Sequence, residues 1–336
     1  HSHSAGISYL SMAILLGIPT LVLDAQDGES ALKAINAFHP TLVLGFPLTL
    51  AEIDTDRILP QAAQHIHTWN GMGDASHERH IRPLLAVGKR RAGTSYTAGS
   101  QYFDGLGSSE MGMVLFKQAH TPETSHYGRL IGTPVGVVRK AAVLDADGNE
   151  LPDGEAGQLG VRTPSVTPGY WDDTHLTEES TVNGYFLTGD IARRDGQGRF
   201  YHLDRTPDVI KSVGGEVYSL PLEEVVLTVT KALDAAVVAV DDPRAPGRSC
   251  PAAVVFHDDD VERSPESLLR VCNEALQKAG LPRLRALVLA GGREGLPVGV
   301  TGKVLKRRLR EKHRDVLKAP PGARTATEKG AVPAPR

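Results

Sequence analysis

The run Glu29-Ser30-Ala31-Leu32-Lys33-Ala34-Ile35-Asn36-Ala37-Phe38-His39-Pro40-Thr41-Leu42-Val43-Leu44 changes its hydrophobic period partway along. Leu32, Ile35 and Phe38 fall at helical spacing and predict a helix over residues 29–38. His39-Pro40 stops it, because proline disfavours a helical residue before it and removes a backbone donor. Thr41 to Leu44 is then a short β-prone apolar run. The same alternation appears upstream. Tyr9 to Leu16 is helix-like, Gly17-Ile18-Pro19 is a break, and Thr20 to Leu23 is a predicted strand. Helices alternating with short buried strands predict α/β layering on a parallel sheet.

The texture changes after about residue 125. Asp147-Gly148, Asp153-Gly154, Asn183-Gly184 and Asp195-Gly196 punctuate β-prone runs such as Val135 to Val143 and Arg199 to Leu203. That pattern predicts a small barrel-like meander of hairpins over residues 125–206. Beyond residue 206, helices over Leu220–Leu233 and from Ser264-Pro265-Glu266 to about Ala279 alternate with strands over Ala235–Val240, Pro251–Phe256 and Arg285–Leu289. Ser264 is placed as an N-cap, with proline at the first helical position. Lys303 to Lys318 reads as a basic helix, and 319–336 as a disordered tail rich in proline. The expected organisation is a large α/β domain over 1–206 and a small, mobile α+β domain over 207–318.

Size and composition agree with that division. A chain of 336 residues with 40% apolar and 23% charged residues holds two or three ordinary cores. Its net charge of −3 gives no support to a nucleic-acid partner. Two scattered cysteines, Cys250 and Cys272, form neither a disulfide framework nor a metal motif, so a reducing cytoplasm is the expected compartment. The apolar run from Ala13 to Val22 is interrupted by Gly17 and Pro19 and is too short to span a bilayer. The first residue is His1 rather than Met, which is expected of the later part of a longer protein.

Four segments carry chemistry. In Asp104-Gly105-Leu106-Gly107-Ser108-Ser109-Glu110, glycines permit close approach to a ligand, hydroxyls suit phosphate oxygens, and Glu110 suits Mg²⁺. In Thr188-Gly189-Asp190, an acid at the end of an apolar strand is placed to accept ribose hydroxyls. Arg205 follows a β-prone run and can grip ribose or phosphate through its planar fork. Gly302-Lys303 sets an ammonium at a predicted helix start, while Lys306 and Arg307 read as solvated. Each signal alone is ordinary: a loop, a turn-capping Asp, a surface Arg, a basic helix.

Their order and separation resemble the AMP-forming acyl-CoA synthetases of the adenylate-forming superfamily. Gly107 to Glu110 is similar to that family's Gly-Ser-Thr-Glu element, and Thr188-Gly189-Asp190 to its ribose motif. Asp204 to Gly215 resembles its inter-domain segment, and Pro297 to Arg310 its terminal lysine element. Gly154 to Leu159 and Gly169-Tyr170-Trp171 fit the pattern between them. His3-Ser4-Ala5-Gly6 looks like the substrate-gate element, and Gly71-Met72-Gly73-Asp74 sits where the adenine strand is expected. The resemblance covers residues 1 to 318 and implies two half-reactions: ATP activates a carboxylic acid as acyl-AMP, then the thiol of CoA takes the acyl group.

The resemblance also implies roles. Glu110 holds Mg²⁺, Ser109 and Ser108 meet phosphate, and Gly73, Asp74, Asp104, Gly105, Leu106 and Gly107 flank the nucleotide. Asp190 takes the ribose, supported by Arg205, and Lys303 bridges carboxylate and phosphate. His3 acts at the substrate gate. After rotation of the small domain, Lys211 serves the thiol step and Gly214 and Gly215 line the pantetheine entrance. Three departures stand out. The family's Gly-rich phosphate loop is absent from these residues, as expected of an incomplete large domain. Leu106 replaces a common Tyr and loses stacking on adenine. Pro207 occupies the hinge position, and its fixed φ is expected to narrow the alternation. Alternative readings are delivery to a separate carrier protein, thioester formation only, and binding of acyl-AMP without adenylation.

Overall fold

The computed structural model describes residues 4–257, 264–291, 295–299 and 302–318. Two compact units separate at Thr206 and Pro207. In the first, the described elements are α1 (Ser4–Leu15), α2 (Gly28–Phe38), β1 (Leu42–Gly45), α3 (Pro47–Ala51), α4 (Pro60–Ala63), β2 (Thr68–Gly71) and α5 (Glu78–Leu85). They are followed by β3 (Lys89–Ala92), β4 (Ser95–Ala98), β5 (Gln101–Gly107), β6 (Val114–His120), β7 (Leu130–Pro134) and β8 (Lys140–Leu144). Then come β9 (Ala156–Arg162), α6 (Thr174–Glu179), β10 (Thr181–Val182), β11 (Tyr185–Arg194) and β12 (Phe200–Arg205). The second unit holds β13 (Ile210–Ser212), β14 (Gly215–Val217), α7 (Ser219–Thr230), β15 (Asp234–Asp241), β16 (Ser249–Phe256), α8 (Pro265–Lys278), β17 (Ala286–Leu289) and α9 (Lys306–His313).

The quoted run folds as its periods require. Asp27 caps α2 by accepting from the Ser30 amide, and His39 ends it in the left-handed region. Leu32 and Ile35 are buried on one face, with Phe38 left exposed at the end. They pack with Trp69, Ile81, Leu84 and Tyr102 in the core under the parallel strands. Full burial of each such aliphatic side chain stabilises by about 2 kcal/mol. Strands β1, β2 and β5 are parallel. The sheet then continues antiparallel through β6, β7, β12, β11, β9 and β8, with β10 beside β11. The meander is joined to β6 by β7, through the register pairs Phe116 with Pro134 and Lys117 with Thr133. A second core around Phe116, Ile131, Leu159 and Phe200 fills it.

Three expectations need correction. Thr20 to Leu23 is not a strand: it is irregular, and Leu21, Val22 and Leu23 are exposed. β-propensity alone does not make a strand, because a ladder needs a partner. Val135 to Val143 is broken by a turn in which the Val138 amide donates to Val135 O, and the strand begins at Lys140. The basic helix starts only at Lys306, because Val298 and Val304 form a bridge and the Leu305 amide donates to Pro297 O. The expected tail over 319–336 lies outside the described residues.

In the second unit, β15, β16 and β17 form a three-stranded sheet, with β13 and β14 as a separate hairpin. Ser264 caps α8 by accepting from the Ser267 amide at 3.2 Å, an interaction worth about 1 kcal/mol. Both cysteines are buried, and desolvation pushes each thiol up to about 11. Among the described residues, no helix is long and apolar enough to cross a membrane.

One hairpin turn carries an acid-sensitive carboxylate. Asp195 accepts from the Gln197 and Arg199 amides, from the Arg199 side chain and from Tyr201 Oη. Desolvation opposes its charge, but these donors outweigh it and hold the carboxyl at about 2, against an ordinary 3.8. A depressed folded-state pKa stabilises above the unfolded value and is lost as pH falls through the folded one. The contribution of Asp195 is therefore expected to be complete above pH 3.8 and to vanish toward about 2. An Asp195→Asn variant should show a shallower loss of stability over that window in acid titration. An unchanged acid profile would refute the assignment.

Candidate active site

In an open α/β sheet, ligands bind beyond the carboxyl ends of parallel strands. Here β1 leads into Gly45-Phe46-Pro47, β2 into Gly71-Met72-Gly73-Asp74, and β5 into Gly107 to Glu110. Close packing fixes these exits. A Cβ on Gly71 would lie 1.8 Å from Tyr102 Oη, and one on Gly107 would lie 2.6 Å from Met113 O. Both positions need glycine for space. Past Gly71 the chain is half-buried through Gly73, and Asp74 is exposed, its carboxylate accepting from the Ala75 amide.

The Gly/Ser loop turns back on itself. Ser108 Oγ accepts from the Met111 amide at 3.3 Å, and Ser109 O accepts from the Gly112 amide. Ser109 is exposed and Glu110 half-buried. Glu110 O accepts from the Thr167 amide at 2.7 Å, which seats the loop against the Gly169-Tyr170-Trp171 segment. Burial raises the Tyr170 phenol, and the negative charge of Glu110 raises it further. The Glu110 carboxylate makes no ion pair among the described residues, and no group of three or more His, Cys, Asp or Glu there could hold a metal ion. A Mg²⁺ ion at Glu110 fits only as the partner of phosphate oxygens, which is how that ion usually binds.

Asp104 departs from its expected place. Its carboxylate faces inward, with Oδ2 3.3 Å from Arg129 Nη1 and both side chains almost fully buried. Oδ1 accepts from the Gly105 amide. Alternation along β5 turns Asp104 and Tyr102 into the protein, while Gly105 and Leu106 remain half-buried.

Asp190 lies within β11 rather than at a strand end. The register against β9 shifts between Leu187 and Ile191, and Gly189 has φ +77°. This bulge turns the Asp190 side chain inward, where it is 1% exposed. Asp190 is the register partner of Arg205, whose Nε lies 3.3 Å from Asp190 Oδ1. His202 Nε2 lies 3.2 Å from the same oxygen. Burial opposes the charge of Asp190. The hydrogen bond and charge of His202, then Arg205 and Thr188, outweigh it and lower its pKa. The balance therefore favours the charged form of Asp190.

The second unit presents its candidates separately. Lys211 on β13 is exposed, as are Gly214 in the following turn and Gly215 at the start of β14, where Gly215 has φ +113°. Pro207 is exposed in a 3-10 turn over Thr206–Asp208. Lys303 is exposed in the turn held by the Val298–Val304 bridge. Lys306 is not solvated as expected. Its Nζ lies 2.7 Å from Glu223 Oε1 and donates to Ser219 Oγ, while Arg307 is exposed. His3 lies outside the described residues.

Sequence reasoning missed Arg129, His202 and Glu223. Arg129 is joined to partners 25 and 53 residues away, a separation that no local motif signals. The position of His202 three residues before Arg205 was the one visible hint.

The chain belongs to the AMP-binding enzyme family, whose pattern matches residues 1–171. A 3-aminoavenalumate diazotase from a Streptomyces species is 37% identical over 331 residues, covering 93% of this chain and 59% of that protein. A long-chain fatty acid–CoA ligase from Yersinia pestis is 32% identical over 213 residues, 63% of this chain and 36% of the ligase. The crystal structure of the anthranilate CoA ligase AuaEII in complex with anthranoyl-AMP superposes with a TM-score of 0.74 at 20% identity, covering 90% of this chain and 56% of that one. The chain thus spans less than two thirds of each of these proteins.

Proposed function

We propose that the protein activates a carboxylic acid with ATP and passes the acyl group to the thiol of CoA. In the first half-reaction a carboxylate oxygen attacks the α-phosphorus, a P–O bond forms, and pyrophosphate leaves. In the second, the thiol sulfur attacks the acyl carbonyl and AMP leaves. The observation that carries this reading is the Asp190 site: a buried, ionised carboxylate with Arg205 as register partner suits the two hydroxyls of a ribose. Ser108 and Ser109 meet phosphate, and Gly73, Asp74, Gly105, Leu106 and Gly107 flank the base. Glu110 would hold Mg²⁺, which neutralises phosphate charge when bound. Lys303 neutralises charge during adenylation. Lys211, Gly214 and Gly215 serve the thiol step, with His3 at the acid gate and Pro207 as the hinge between domains 1–206 and 207–318. A free carrier-protein thiol is the alternative acceptor.

A second reading is favoured by one observation, the 37% identity to a diazotase over 93% of the chain. Diazotisation converts an amine with nitrous acid, and nitrite, like a carboxylate, is an oxyanion that adenylation would activate as a mixed anhydride. Amine attack on nitrogen would then release AMP, and loss of water would give the diazonium ion.

Pyrophosphate release from ATP by the full-length protein separates the two. Release with aromatic or fatty acids, and thioester when CoA is added, supports the ligase. Release that requires nitrite, with diazonium formed from an aromatic amine, supports the diazotase. Release under neither condition overturns both.

A further inference from the structure

We infer that Arg129 is a positioning residue that holds three nucleotide-flanking segments in register; the inference rests on the nucleotide site proposed above. Arg129 immediately precedes β7, and its side chain is 3% exposed. Its Nη1 donates to Ser76 O, just beyond the Gly71-Met72-Gly73-Asp74 run. The same nitrogen lies 3.3 Å from Asp104 Oδ2 on β5, the strand that leads into Gly107 to Glu110. Its backbone oxygen accepts from the His202 amide at 3.0 Å, and His202 in turn lies against Asp190. One residue therefore ties the base-flanking segment, the phosphate loop and the ribose carboxylate's neighbour.

The surroundings show that the arrangement is specific. Arg129 has φ +60°, the left-handed region that a non-glycine residue adopts only where its surroundings impose it. Tyr102 Oη and Ser76 Oγ share a buried 2.7 Å hydrogen bond beside it, which joins the same two segments a second time. Burial first, and then the charge of Asp104, keep the Tyr102 phenol protonated. Arg129 Nε is buried without an acceptor, so Nη1 does the tethering. An ammonium can supply one such donor, whereas a thioether supplies none.

The test uses the full-length protein with AMP as probe. Arg129→Met is expected to weaken AMP binding at least about tenfold in calorimetry, while Arg129→Lys stays within about threefold. Turnover at saturating ATP should fall far less than the rise in KM, since Arg129 touches no reacting atom. Amide exchange within 71–76 and 107–110 should speed up together in Arg129→Met. If that variant does not fold, Arg129→Gln takes its place. Unchanged AMP affinity with unchanged exchange overturns the inference, as does equal damage from Lys and Met. If the unaltered protein binds no AMP, the nucleotide reading fails, and joint exchange in the two segments alone decides the role of Arg129.

Discussion

Lys303→Ala is expected to slow pyrophosphate release by about 10²–10³-fold, the usual effect of removing one preorganised charge or donor from a developing oxyanion. The expectation comes from where the lysine sits. The Val298–Val304 bridge and the hydrogen bond from the Gly299 amide to Lys303 O hold a turn that leaves the side chain exposed. Because the side chain is exposed, its removal should change stability by less than about 0.5 kcal/mol. The loss should fall on adenylation alone. Thioester formation from a supplied acyl-AMP should proceed at its original rate, because the acyl phosphate bond already exists. The two half-reactions measured separately decide the matter. A loss under tenfold in pyrophosphate release, or an equal loss in both steps, would remove Lys303 from the proposed role.

Three residues further along, Lys306→Met is expected to do the reverse, destabilising the second unit by about 3–5 kcal/mol without altering the chemistry. Glu223 is 4% exposed, and its Oε1 accepts from the Val237 amide as well as meeting Lys306. Removal of the ammonium takes its counter-charge from this buried carboxylate, and that is the source of the loss. The double variant Glu223→Gln with Lys306→Met should recover most of the loss, since a neutral amide oxygen still accepts from Val237. Hydrogen exchange in α7, β15 and α9 of the full-length protein gives the readout. A loss under 1 kcal/mol in the single variant, or no recovery in the double, would refute the account.

The contrast between these two lysines shows what the sequence could tell. Both stand in Gly302-Lys303-Val304-Leu305-Lys306, and local pattern alone treated the second as solvated. Its burial depends on Ser219 and Glu223, more than eighty residues away. Arg129 hid for the same reason, because its partners lie on β5, on β12 and in the segment after β2. The elements around α2, β15 and α8 were legible because period and capping are local: Asp27, His39 and Ser264 act within a turn of themselves. The run Thr20 to Leu23 shows the limit of that method. Its residue types favour a strand, but pairing is a property of neighbours that local sequence does not contain. The order and spacing of the Gly107–Glu110, Asp190 and Lys303 segments signalled the adenylate-forming family, while the inward turn of Asp104 depends on Arg129, 25 residues away.

The state of Cys250 and Cys272 has a consequence for an enzyme proposed to handle thiols. With both sulfurs buried and their acidity suppressed to about 11, neither supplies a thiolate at neutral pH. Oxidised acceptor, such as a CoA disulfide, therefore meets no nucleophile on these residues with which to exchange. These two sulfurs stay outside the thiol traffic that the protein is proposed to catalyse.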